Sequence, residues 1–165
     1  MAISLQVYGE AFLDQLMIAR DQIDQPVFGQ AAAYAIGQNR DPALSGRILA
    51  LALTGELGSR ETVTVITGQM AQSATRAETW AWLNTNFATY LEIIPRQRKR
   101  SSPTLANAVC NLEGRDALVA LFENQGGLAE GHERALTQTV ERIELCAALA
   151  AAKGEEVRAF FRRGG

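Results

Sequence analysis

Few residues in this chain can do acid–base or metal chemistry, and their spacing limits what they can be used for. Among 165 residues there is one histidine, His132, followed directly by Glu133. A zinc hydrolase of the two-histidine helical type needs a second imidazole one turn further on, so that both rings face one ion and the intervening glutamate serves as base. That position is Leu136. His132 therefore reads as a polar residue in the first turn of a helix. A serine or cysteine nucleophile needs a base, usually histidine, and no such constellation can be assembled here. Glycine-rich phosphate loops of the P-loop or dinucleotide type are absent from the sequence. The adjacent carboxylates Glu155 and Glu156 fall on what reads as a solvated helix face. No catalytic residue and no metal ligand is expected in the chain.

Two other groups of residues invite a chemical reading. Arg96, Arg98, Lys99 and Arg100 form the one dense basic run. Arginine forks bind a peptide carboxylate or a phosphate; equally, a cationic run after a helix end sits favourably against the negative end of the helix dipole, in solvent. Cys110 and Cys146 each lie in an apolar helical pattern, and the expected state is a pair of buried free thiols in a reducing compartment. A formal net charge of -2 carries no electrostatic footprint for nucleic acid. No apolar stretch approaches the roughly 20 residues that a membrane span requires, and no targeting segment is visible, so a cytoplasmic protein without a membrane partner is expected.

The elements that must carry these residues are helical. A long helix is expected over Glu133–Lys153, where Leu136, Val140, Ile143 and Ala147 recur at helical period. From Leu145 onward apolar residues encircle it, which predicts cover on more than one side. Earlier helices are predicted over Leu5–Ile18, Val27–Ile36, Pro42–Leu53, Arg60–Ala71 and Arg76–Ile94. Their starts and stops are marked by Asp24-Gln25-Pro26, Gly37, Asp41-Pro42, Gly55–Gly58 and Pro95. The segment after Ser59 is rich in Thr and Val and favours strand by propensity, but nothing strand-like exists to pair with it. Trp80, Leu83, Phe87, Tyr90 and Leu91 make an aromatic face. Two shorter helices, Thr104–Leu112 and Arg115–Asn124, a turn at Gln125-Gly126-Gly127, and a last short helix Glu155–Arg162 after Gly154 complete about nine helices and no strand. Residues 1–165 suit a single all-α domain of antiparallel helix pairs.

Several stretches, taken in order, resemble the C-terminal helical domain of the large zinc aminopeptidases of the alanyl, puromycin-sensitive and endoplasmic-reticulum types. They are Arg40-Asp41-Pro42 with Leu49–Leu53, Thr79–Phe87 containing Trp80, Trp82 and Asn86, Ala120-Leu121-Phe122, and Glu133–Leu136 with Val140–Ile143. The likeness runs over roughly Asp41–Phe161, departing at Phe87, where the family prefers tryptophan, and at Cys146–Leu149, where it has asparagine and tryptophan. The resemblance implies a right-handed α-α superhelix, degenerate and HEAT- or armadillo-like. It also implies a non-catalytic role, closing a chamber over a peptide whose N-terminal residues a separate, zinc-bearing catalytic domain removes. Implied partners are the other domains of such an aminopeptidase and its peptide substrate. Arg40, at a helix-pair loop, is the one residue singled out for peptide binding. A free-standing helical-repeat module that grips a protein or peptide is the alternative.

Overall fold

The computed structural model describes residues 2–23, 25–125 and 129–163. Among them are nine helices and no strand, so the all-α class expected from the sequence is the class found. The chain divides into two compact units, residues 1–99 and 100–165.

The first unit contains α1 (Ala2–Gln22), α2 (Pro26–Gly37), α3 (Pro42–Thr54), α4 (Ser59–Ala71), α5 (Arg76–Ile93) and most of the short α6 (Arg96–Arg100). Consecutive helices touch (α1 on α2, α3 on α4, α4 on α5), and so do alternate ones (α2 on α4, α3 on α5). Within this unit that is the contact pattern of stacked helix pairs, as in an α-α superhelix. Leu5, Leu13 and Leu16 of α1, Ala32, Ala33 and Ile36 of α2, Leu44, Ile48 and Leu51 of α3, and Val65 of α4 are buried together. Leu83, Phe87, Tyr90 and Leu91 bury the predicted aromatic face of α5, leaving Trp80 half-exposed.

Local rules explain most of the boundaries. The Asp41 carboxylate accepts from Ala43 N–H at 3.0 Å, Pro42 occupies the first turn, and Gly55 closes α3 with φ 78°, the left-handed geometry in which glycine carries no Cβ penalty. Asp24, expected to cap α2, lies outside the described residues. The Thr- and Val-rich segment is helical because of its packing. α4 meets α2 so closely that a Cβ on Gly68 would lie 2.7 Å from Gly37 Cα. A glycine pair there lets the two backbones touch, and the burial this permits outweighs a β propensity that amounts to ~1 kcal/mol. α1 is interrupted at Gly9 (φ 56°, ψ -131°), a conformation open essentially to glycine alone, where one unbroken helix was expected.

The second unit holds a 3-10 helix (Ser102–Ala108), α7 (Leu112–Gln125) and α8 (Glu133–Arg163). Its core is small: Leu105, Ala106, Leu118, Leu121, Phe122, Ala129 and Ile143. Four expectations are corrected here. Cys110 and Cys146 are half-buried and joined as a disulfide with Cα atoms 5.1 Å apart, where buried free thiols were expected. The α-helix predicted over Thr104–Leu112 is instead the 3-10 helix, ending three residues before α7 opens. Gly154 does not separate two helices: α8 runs through it, the ion pair Lys153–Glu156 at 2.6 Å spans the position, and Arg158–Glu155, also 2.6 Å, follows directly after it. Glycine inside a helix costs about 1 kcal/mol relative to alanine but stops it only when it turns left-handed, and Gly154 has no positive φ. Nor is the end of α8 covered on several sides, since Leu145 is 73% and Leu149 64% exposed. The predicted turn at Gln125-Gly126-Gly127 falls mostly outside the described residues.

Candidate functional site

His132 is held by structural partners. Its Nδ1 lies 2.9 Å from the Ala129 carbonyl and its ring packs on Phe122 with centroids 4.8 Å apart. Among the described residues no three His, Cys, Asp or Glu side chains converge where a metal ion could be held. The described residues therefore offer no ligand set for zinc.

Convergence occurs instead around a cavity of about 410 Å³ in the first unit, lined by Gln30 of α2, Arg60, Val63 and Thr64 of α4, and Pro95, Gln97 and Arg98 at the start of α6. Each arrives there for a local reason. Pro95 ends α5 and turns the chain, with Arg98 and Lys99 N–H groups both donating to its carbonyl. The Thr64 hydroxyl donates back to the Arg60 carbonyl at 3.0 Å, one turn earlier. Among the described residues, two arginines, two glutamines and a threonine therefore line the cavity. Guanidinium stays charged at any physiological pH and presents a planar fork matched to carboxylate or phosphate. The lining offers no nucleophile paired with a base. What the arrangement can do is bind an anion.

Elsewhere in the first unit charged side chains pair with one another. Arg20 grips Glu61 through Nε at 3.0 Å and Nη2 at 2.6 Å, and this hydrogen bond raises the arginine above its ordinary pKa. Glu61 also accepts from Gly58 N–H at 2.8 Å. It reaches its place past Gly29, where a Cβ would lie 2.3 Å from its carboxylate oxygen. Arg47 of α3 bridges Glu10 and Asp14 of α1. A shallow, largely apolar groove on α1 is lined by Ser4, Tyr8, Ala11, Phe12 and Gln15, with Val7 and Tyr8 exposed beside it.

The basic run read from the sequence is split by the fold. Arg98 lines the cavity, whereas Arg100 lies against Gly131 in the second unit, within reach of an added Cβ there at 3.3 Å. Arg40 is not part of the lining; its Nε donates to Gln72 Oε1 at 3.1 Å, tying the α2–α3 loop to the end of α4. Gln30, Arg60 and Thr64 were missed. Arg60 alone left a trace, as a cation in the first turn of a helix, where the dipole disfavours positive charge.

The first unit is thus a stack of helix pairs whose cavity is lined by Gln30, Arg60, Thr64, Gln97 and Arg98. The family model described as ERAP1-like C-terminal domain matches residues 1–145, and the chain belongs to that family. This agrees with the resemblance in the sequence to the C-terminal domain of aminopeptidases. No curated protein sequence matches the chain.

Proposed function

We propose that this chain is a single non-catalytic domain, the C-terminal part of a zinc aminopeptidase that removes N-terminal residues from peptides. In this reading it closes the substrate chamber and holds the far end of the peptide, while zinc is bound by the catalytic domain of the parent protein. The observation that carries the reading is the cavity lined by Arg60 and Arg98, whose planar guanidinium forks suit the terminal carboxylate of a peptide. The exposed apolar groove on α1 supports docking to other domains of the same protein over a free-standing module.

A cytoplasmic setting was the expectation from sequence. The Cys110–Cys146 bond supports an oxidising compartment instead, because cytosolic thiol pools keep such pairs reduced.

The test is calorimetric titration of this chain with a peptide bearing a free C-terminus and with its C-terminal amide. The free acid is expected to bind and the amide to bind roughly tenfold or more weakly, with a loss of similar size in Arg60→Gln, since a charged hydrogen bond is worth ~1.5–3 kcal/mol. Equal affinity for acid and amide would sink the carboxylate assignment.

A further inference from the structure

The last four turns of α8 match nothing the domain needs for its own core. Ile143 is the last buried apolar residue of the helix, and from Ala148 to Arg162 every residue except Gly154 and Ala159 is exposed. The family match covers residues 1–145, so this segment lies beyond the matched residues. Sixteen residues of helix, about 24 Å, project without a packing partner in their own unit.

Their sequence is two-sided. At 100° per residue Leu149, Val157, Phe160 and Phe161 fall within one arc of roughly 120°, whereas Glu155, Arg158 and Arg162 face the other way. Phe160 and Phe161 are each 73% exposed, their rings edge to face at 5.5 Å. Lys153 lies inside the apolar arc, and its ammonium reaches Glu156 at 2.6 Å, at the arc's edge. In a chain whose net charge is -2, this segment alone carries four cations, Lys153, Arg158, Arg162 and Arg163, against two carboxylates, Glu155 and Glu156.

An apolar arc ending in two phenylalanines, backed by a basic excess and of low overall hydrophobicity, is the make-up of a helix that lies in a membrane interface. A second copy is a poorer occupant. A stable protein interface takes about 800 Å² from each partner, more than one face of a 24 Å helix supplies. Nor is such a helix, with a glycine at its centre, stable by propensity alone; an interface would supply the missing burial. We infer that residues 148–163 form a surface-docking helix for anionic lipid. Phe160 and Phe161 enter the acyl boundary, Lys153 snorkels, and the arginines meet headgroup phosphates.

The test is co-sedimentation of the full chain with phosphatidylcholine vesicles, with and without phosphatidylglycerol, at low and at physiological salt. Pelleting is expected with phosphatidylglycerol and weaker with phosphatidylcholine alone. The double variant Phe160→Ser/Phe161→Ser should bind roughly tenfold or more weakly, and Arg158→Gln/Arg162→Gln several-fold more weakly with a flatter salt dependence. All four side chains are exposed, so circular dichroism and melting of the first unit should be unchanged in both variants. Failure to pellet with anionic vesicles, or binding undiminished in the phenylalanine variant, overturns the proposal. So does concentration-dependent self-association in sedimentation velocity that the phenylalanine variant abolishes while lipid binding is absent.

Discussion

Gln69 shows how one buried polar side chain can close off a helix end. Its Nε2 lies 3.2–3.3 Å from the Ile36, Gly37 and Asn39 carbonyls at the end of α2, and its Oε1 accepts from Ser45 Oγ at 3.0 Å. Helix C-termini leave carbonyls without partners, and here a neighbouring helix supplies the donor. Gln69→Leu keeps the volume but orphans those groups, so urea unfolding should show a loss of about 2–4 kcal/mol. Nothing in the chain order marks Gln69, because its partners lie 24 to 33 residues away. Tyr90 is 1% exposed, and burial pushes its phenol well above the ordinary tyrosine range while Arg98 pulls the other way. The sign follows from linkage. The folded pKa is raised, so the neutral phenol stabilises the fold fully below about pH 10, where the unfolded tyrosine titrates, and that stability is lost as pH rises beyond it. Tyr90→Phe should flatten the alkaline limb of a stability–pH profile above about pH 10; an unchanged limb would show that another group controls it.

The informative contact between elements is the crossing of α2 and α4. Glycines at 37 and 68 bring backbone against backbone, and the buried network of Gln69 sits one residue beyond. Gly68→Ala places a methyl 2.7 Å from Gly37 Cα with backbone, not a flexible side chain, in the way. The helices must separate, and thermal unfolding should report a loss of ~1–3 kcal/mol although alanine is the better helix former. α5 bends at Asn86, whose φ of -114° leaves the helical range. Asn84, Thr85 and Asn86 side chains each donate to the carbonyl four residues earlier, at 2.8, 3.2 and 2.9 Å. Such competition with the backbone is a known source of helix bending. The sequence motif around Trp80 and Asn86 that points to the family is thus also the place where this helix changes direction.

At the scale of the molecule, the two units are stabilised differently. The first has a core contributed by five helices; the second has, among its described residues, a small core around Leu118, Phe122 and Ile143 and a disulfide closing a 36-residue separation. Chain-entropy arguments put a loop of that size at roughly 4 kcal/mol, a large share of what a small unit possesses. Cys110→Ser/Cys146→Ser, or reduction of the native chain, should therefore lower the transition of residues 100–165 preferentially. Hydrogen exchange followed by mass spectrometry would read this as faster exchange in α7 and the first half of α8 with α1–α5 unaffected. Uniform loss across both units would instead mean that they unfold as one.

Sequence alone determined the all-α class, the placing of α2, α3 and α5, the kinship with aminopeptidase C-terminal domains and the lack of a paired-histidine zinc motif. Each of these depends on interactions within a turn or two, such as Asp41 capping Ala43, Pro42 in a first turn or Leu136 where a second imidazole would stand. Tertiary structure decided the rest. Arg60, Arg98 and Gln30 meet around one cavity only because α2, α4 and α6 converge, and chain spacing does not encode that. The cysteines were read as free because the pairing of Cys110 with Cys146 depends on how α8 lies along the second unit. The apolar end of α8 was read as covered because periodicity reports an amphipathic face without reporting whether anything packs on it. Local chemistry is written within a few residues; cover and convergence are properties of the assembled chain.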